Sequence, residues 1–285
     1  LALVFFLGMP AAVSELLILL GCVGVASYVA RQATYANLGG GLQWYSLLAV
    51  ATALALAVGG AVLRGDLGHA LVALALAACF AWLFGGVWLR WSLVAAVAAG
   101  VAALAACQMA GELVGPLGWL TPHLPAHAQD RMYAMFDPFQ AGASDMARIH
   151  WLIRSAGEAG WGVGYVPWQG LAPVRTQDGL PLQGPSDYVL ALSSAIWGQT
   201  GGLLPMLAVL GVFVGAAAIG LRTALRAAMP LAVRWLAAVG ALGCVMMVVK
   251  VVLSIGGVTG VLPLTGLPVS LLGYGPVTHL AAMLY

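Results

Sequence analysis

V-R-W-L-A-A-V-G-A-L-G-C-V-M-M-V-V-K-V-V-L-S-I-G-G-V-T, residues 233–259, is charged only at Arg234 and Lys250 and holds no proline. A helix crossing the hydrocarbon core of a bilayer needs ~20 mostly apolar residues, and this run supplies them. The same ruler applied to the rest of the chain gives about seven spans, near 11–30, 44–63, 69–89, 91–114, 188–221, 233–259 and 267–285. The expected fold is all-α: a polytopic transmembrane helix bundle with about seven spans and one large extracytoplasmic loop. It divides the chain into N-terminal transmembrane helices (1–114), the loop with an interfacial helix (115–187) and C-terminal transmembrane helices (188–285). The fifth span is too long for one straight crossing, and Pro205 with Gly198, Gly201 and Gly202 predicts a kink or a helix that begins outside the bilayer. Residues 1–8 read as the tail of a further element ending at Pro10.

Composition agrees. Of 285 residues, 62% are apolar and 7% charged, against about 25% charged in soluble domains. A water-soluble enzyme, a nucleic-acid binder and a disordered tail are thereby excluded. Cys22, Cys79, Cys107 and Cys244 each lie in an apolar run, without metal-ligand spacing, and read as small core residues. Residues 1–8 are apolar without a basic region and cleavage site, so they do not read as a signal peptide.

Orientation follows from the short connections. One side carries Arg31, Arg90, Arg222, Arg226 and Arg234 with no acid, whereas the other has Arg64 beside Asp66. By the positive-inside rule the arginine side is cytoplasmic, which puts residues 115–187 outside. Half of the charged side chains occupy that loop: Asp130, Asp137, Asp145, Glu158, Asp178 and Asp187, with Arg131, Arg148, Arg154 and Arg175. Its seven aromatics between Tyr133 and Trp168 argue for order at the membrane surface. Within it, Met146, Ile149, Leu152 and Ile153 recur at helical spacing over 145–158, which predicts an interfacial helix with Trp151 at headgroup depth.

Ionisable residues inside spans are costly and by default mark a functional path. Glu15 and Glu112 lie near outer span ends, Asp66 in an outer connection and Asp187 at the mouth of the fifth span. Lys250 stands ~24 Å above Arg234 at 1.5 Å per residue, in the outer half. No such set exists in the inner half, which favours a site open to the outside over a path through the bilayer. The bland alternative is that Glu15, Glu112 and Lys250 only pair with one another or with backbone. His69 and His150 read as structural, and His123 and His127 lack a third metal-like ligand.

These residues resemble a known family, the shape, elongation, division and sporulation (SEDS) polymerases of the RodA and FtsW type. Ser254-Ile255-Gly256-Gly257-Val258-Thr259-Gly260-Val261-Leu262-Pro263-Leu264-Thr265-Gly266-Leu267-Pro268 resembles the signature N-I-G-x-x-x-G-L-L-P-x-T-G-x-x-L-P. Arg131 to Phe136-Asp137-Pro138 is similar to R-x-x-x-F-x-x-P, and Trp161-Gly162-Val163-Gly164 to the family's G-x-G turn. Pro185-Ser186-Asp187-Tyr188 stands where the family reads H-T-D-F. Ser14-Glu15-Leu16 and Asp66-Leu67-Gly68-His69-Ala70 resemble Q-P-S-E-L and P-D-L-G-T-A. The resemblance implies about three further spans before Pro10.

It also implies that the membrane is the cytoplasmic (inner) membrane of a bacterium, and a peptidoglycan glycosyltransferase that polymerises lipid II, with Asp187 at the position of the essential acid. A carboxylate at a helix mouth could take the proton of an acceptor sugar hydroxyl. Arg131, Arg148, Arg154 or a divalent cation such as Mg could stabilise the leaving pyrophosphate. Glu15, Asp66 and Lys250 complete the expected substrate-binding set, and the expected partner beside the bilayer is a class B penicillin-binding protein, a transpeptidase. No nucleic acid is involved.

The family's paired E-E is Ala195-Ile196 here, the Lys after its Q-P-S-E is Ile18, and the Asn opening the last signature is Ser254. This marks a divergent member and keeps two alternatives open: a degenerate scaffold for a cell-wall or division partner, and a lipid or solute transporter. For Asp187 the alternative to a base is a helix N-cap.

Overall fold

The computed structural model describes residues 21–28 and 30, positions 52, 55, 58 and 59, and the stretches 67–84, 87–137, 144–162, 189–226, 228–263 and 265. Among the described residues every regular element is helical: α1 Leu67–Phe84, α2 Val87–Ala110, α3 Gly115–Leu120, α4 Ala126–Tyr133, α5 Ser144–Ala156, α6 Val189–Ala224 and α7 Leu231–Val258, with a 3₁₀ turn at Thr121–His123. Residues 21–28 are also helical. The protein is an all-α membrane protein, as expected. Helices α1, α2, α6 and α7 match the third to sixth predicted spans within a few residues, whereas the span at 267–285 and most of that at 44–63 lie outside the described residues.

Apolar runs become helices because a bilayer offers no water to their backbone N–H and C=O groups, so each must be satisfied within its own segment. Arg90–Ala110, Val189–Ala224 and Leu231–Val258 are long and apolar enough to cross, with mean hydropathies of 2.0, 2.3 and 2.4. They are not equivalent in packing. Of the most apolar stretch of α7, 44% is buried, against 11% for α6 and 6% for α2. Among the described residues α7 is therefore the most buried of the three, while α2 leaves Trp88, Trp91, Val94, Val97 and Val101 exposed, as suits a helix facing lipid.

The described residues fall into two compact units, one drawing on the chain up to Val97 and on Gly211–Val249, the other on Ala98–Leu210 and the chain from Lys250 onward. In the first, α6 and α7 approach closely at Gly220, where an added Cβ would meet the Ala237 carbonyl oxygen at 2.9 Å and Ala241 Cβ at 3.1 Å. Small residues permit that approach where no hydrophobic effect drives helices together. The Trp235 indole N–H donates to Ser27 Oγ at 2.9 Å, and the Arg90 guanidinium Nε donates to the Trp82 carbonyl at 2.8 Å. That bond satisfies one of the carbonyls left open at the end of α1.

In the second unit the core joins α5, α6 and α7. Met146, Ile149, Leu152 and Ala156 of α5 meet Leu190, Ala191, Ala195 and Met206 of α6 and Val251 and Val258 of α7. The helical spacing expected over 145–158 thus forms a helix at Ser144–Ala156, with its apolar stripe buried in protein. Burying Met146, Ile149 and Leu152 contributes roughly 1.5–3 kcal/mol each relative to exposure to water.

Of the four residues expected to kink this span, the break falls at Gly198 (φ 81°, ψ 172°), whereas Pro205 sits inside the continuing helix. Pro205 costs a helix only one hydrogen bond and a local bend, but the φ of Gly198 is closed to residues with a Cβ. The chain turns sharply there: an added Cβ on Gly202 would strike Ser194, and Ser193 Oγ donates to the Gly202 carbonyl at 3.1 Å. Eight residues of straight helix would hold those positions about 12 Å apart. Gly198→Ala is therefore expected to lower stability by at least ~1–3 kcal/mol, and Gly211→Ala, with open space around it, to be neutral or to stabilise by up to ~1 kcal/mol. Thermal unfolding of both variants in detergent tests this; equal shifts would refute it.

Candidate functional site

The second unit holds the described part of the loop motifs, and backbone bonds organise it. At the Gly198 break the carbonyls of Ala195 and Ile196 lose their helical partners; they accept instead from Trp161 N–H at 2.8 Å and Gly162 N–H at 2.9 Å. In return, Gln199 N–H, freed in the first turn after the break, donates to the Gly157 carbonyl at 2.9 Å. Thr200 Oγ1 donates to Glu158 Oε2 at 2.8 Å. Gly160 and Gly198 leave no room between the strands of this clasp: a Cβ on Gly160 would strike Gly198 N and the Ile196 carbonyl, and one on Gly198 would strike the Glu158 carbonyl. Trp161 packs against Trp151 of α5, ring centroids 5.7 Å apart. The W-G-x-G turn is thus a cap on a broken helix.

Helix α7 ends in a second glycine device. Leu262 N–H donates to the Gly256 carbonyl at 2.9 Å and Gly260 N–H to the Gly257 carbonyl at 3.2 Å, with Gly260 at φ 77°. This is a left-handed C-terminal cap. Gln108 of α2 fixes the turn from outside, its Nε2 donating to the Gly260 carbonyl at 3.0 Å. The His150 ring lies on the other side, 3.5–3.6 Å from where a Gly260 Cβ would be. Its Nε2 is buried without a hydrogen-bond partner, as are Ser254 Oγ and Thr265 Oγ1.

Arg131, on α4, reaches this segment: its Nη1 donates to the Thr265 carbonyl at 3.0 Å, across 134 residues of chain. One bond therefore joins the R-x-x-x-F motif to the closing L-P-x-T-G motif. Four further guanidinium N–H groups remain for other acceptors.

Of the other expected site residues, Lys250 is 1% exposed and adjoins core residue Val251, and Arg154 is exposed near the end of α5. Arg148 lies on α5 between buried Ala147 and Ile149. Asp187, Glu15 and Asp66 lie outside the described residues. The structure thus brings Arg131 to the closing motif and α5 to the turn after α7. Gln108 is the residue that sequence reading passes over, although it is the single amide in a helix whose other polar side chains are Arg90 and Ser92. Among the described residues no three His, Cys, Asp or Glu side chains gather to hold a metal ion. The four cysteines are free, Cys22 and Cys107 being buried.

Taken together, these features define a polytopic helical membrane protein whose long loop is anchored on a broken helix and a glycine-capped helix end. The family model described as cell cycle protein, FtsW/RodA/SpoVE, matches residues 10–285, all but the first nine. The chain belongs to that family. Among curated proteins, none matches it.

Burial, and then the Arg154 charge one turn away, hold the pKa of His150 below its ordinary 6.5. The unfolded chain accordingly binds a proton near pH 6 that the folded chain does not, so this contribution to stability is complete above about 6.5 and lost as pH falls through the folded value. The unfolding midpoint is expected to drop between pH 7 and about 5, and to drop less in His150→Gln. Identical pH profiles would refute the assignment.

Proposed function

We propose that this protein is a peptidoglycan glycosyltransferase that polymerises lipid II at the outer face of the bacterial cytoplasmic membrane. The observation that carries the reading is the Arg131–Thr265 bond, which ties together two motifs of a family whose members are in general such enzymes. The arginine-only short connections support an outside location for residues 115–187.

In the proposed reaction the Asp187 carboxylate takes the proton from an acceptor sugar hydroxyl. The freed oxygen pair forms a bond to the anomeric carbon of a second lipid-linked saccharide. The bond from that carbon to the pyrophosphate oxygen breaks, and undecaprenyl pyrophosphate leaves with the electron pair. Arg131 has guanidinium donors to spare for that leaving group, and Arg148 and Arg154, on the helix packed beside it, add positive charge. A divalent cation such as Mg would supply further charge neutralisation at the pyrophosphate. Glu15, Asp66 and Lys250 are proposed to position the sugars, and a class B penicillin-binding protein to cross-link the product.

A specific observation favours a second reading, that of a scaffold without polymerase activity. Ala195, where the family has the first of two glutamates, is wholly buried in the second unit's core, and the carbonyls of both Ala195 and Ile196 are committed to the loop. No carboxylate occupies that place.

Purified full-length protein given lipid II distinguishes them. Polymer is expected from the parent chain and about 100-fold or more less from Asp187→Asn, the usual scale of a lost general base. Asp187→Ser, which keeps an N-cap but has no base, is expected to be as inactive as Asn. Full activity in the Ser variant would reduce Asp187 to a cap, and no polymer from the parent would leave the scaffold.

A further inference from the structure

The first unit carries a cleft that the proposed sugar chemistry does not use. At the arginine-bearing end of α7, Leu231, Ala232, Trp235 and Leu236 face Ser27 and Ala30 across a cleft of about 650 Å³. Its walls are apolar except for one polar edge, the Trp235–Ser27 hydrogen bond. The connection leading into it is held tight: Arg226 N–H donates to the Thr223 carbonyl, Met229 N–H to the Arg226 carbonyl and Arg234 N–H to the Pro230 carbonyl, at 3.1–3.2 Å. Arg222 stands two residues beyond Gly220, which packs against Ala237 of α7, and Arg226 five residues before Leu231, so both belong to the end of this unit that holds the cleft.

Both arginines are exposed, and neither has an ion pair or side-chain hydrogen bond among the described residues. The sequence gives a reason: no aspartate or glutamate follows Asp187 in the remaining 98 residues. Two exposed guanidinium groups without an acidic partner in this segment leave positive charge available to an external anion, and basic pockets between membrane helices hold anionic lipid headgroups in this way. Beside it, an indole at a helix end and a leucine-lined wall offer what an acyl chain covers.

We propose that this cleft binds one anionic phospholipid, its phosphate held by Arg222 and Arg226 and its acyl chain laid against Trp235 and Leu236. The proposal is independent of the polymerase reading. It commits to lipid because charge and apolar wall are complementary to one amphiphile, and because the first unit supplies the cleft by itself.

The test uses the full-length chain, one copy per phosphatidylcholine nanodisc, titrated with phosphatidylglycerol brominated on its acyl chains and, separately, with phosphatidylcholine brominated identically. The Trp235 signal is the difference between the parent and Trp235→Phe. Brominated phosphatidylglycerol is expected to quench it at a roughly tenfold lower mole fraction than brominated phosphatidylcholine, the scale of two arginines beside an anionic headgroup. Arg222→Gln with Arg226→Gln is expected to abolish that preference. Equal curves for the two lipids, a preference that survives the double substitution, or no quenching because protein fills the cleft would each overturn the proposal. A readout that does not need the Trp235 variant is thermal unfolding: added phosphatidylglycerol should raise the midpoint of the parent but not of the Arg222/Arg226 double variant, and an equal rise in both counts against it.

Discussion

A helix that stops inside a packed protein leaves carbonyls behind it and N–H groups ahead of it with no partner, and each buried orphan costs a few kcal/mol. The break at Gly198 creates both kinds, and the loop segment Gly157–Gly162 satisfies both: Trp161 and Gly162 donate backward, and the Gly157 carbonyl accepts from Gln199. The rest of the second unit depends on this exchange. It sets where α5 ends, brings Trp161 onto Trp151, and locks a long extramembrane loop to a membrane helix through backbone bonds that few substitutions can remove.

The same logic accounts for the glycines. Gly160 and Gly198 lie so close to opposing backbone that a single methyl would force the clasp apart, while Gly260 supplies the left-handed turn that ends α7 and leaves room for the His150 ring. Two glycine-dependent helix ends therefore bracket α5, one at each partner helix. The apolar stripe of α5 fills the space between them. The described part of the loop, 144–162, is thereby tied to both partner helices, which is the kind of fixed placement that the proposed transfer between lipid-linked sugars would need.

Much of this was legible in the chain because the bilayer is a severe solvent. Apolar length alone locates α1, α2, α6 and α7, and the spacing of Met146, Ile149 and Leu152 locates α5 within two residues. The kink was legible only as a choice among four residues, because nothing in the local pattern says that Gly198 rather than Pro205 faces a backbone carbonyl 40 residues away in the chain. The Arg131–Thr265 bond was equally out of reach, since a contact across 134 residues leaves no periodic trace. Charge told more about the site than pattern did. Arg131, Arg154 and Lys250 fall in the second unit, whereas Arg222, Arg226 and Arg234 fall in the first.

That division bears on how the missing glutamate pair should be understood. If Ala195 and Ile196 had only lost side chains, a polar hollow would remain in their place. Instead Ala195 is 0% exposed within an apolar cluster, and a carboxylate there would be buried among Met146, Ile149 and Leu190 at a cost of several kcal/mol unless it were paired. The surroundings have thus adjusted to the small residue, and restoring glutamate alone would disrupt the clasp before it restored any chemistry. Whatever the pair contributes in relatives, this chain must do without it or obtain it elsewhere. Just past that position Thr200 is bonded to Glu158 at 2.8 Å, and Glu158 is the one described carboxylate that the clasp itself carries to the break in α6.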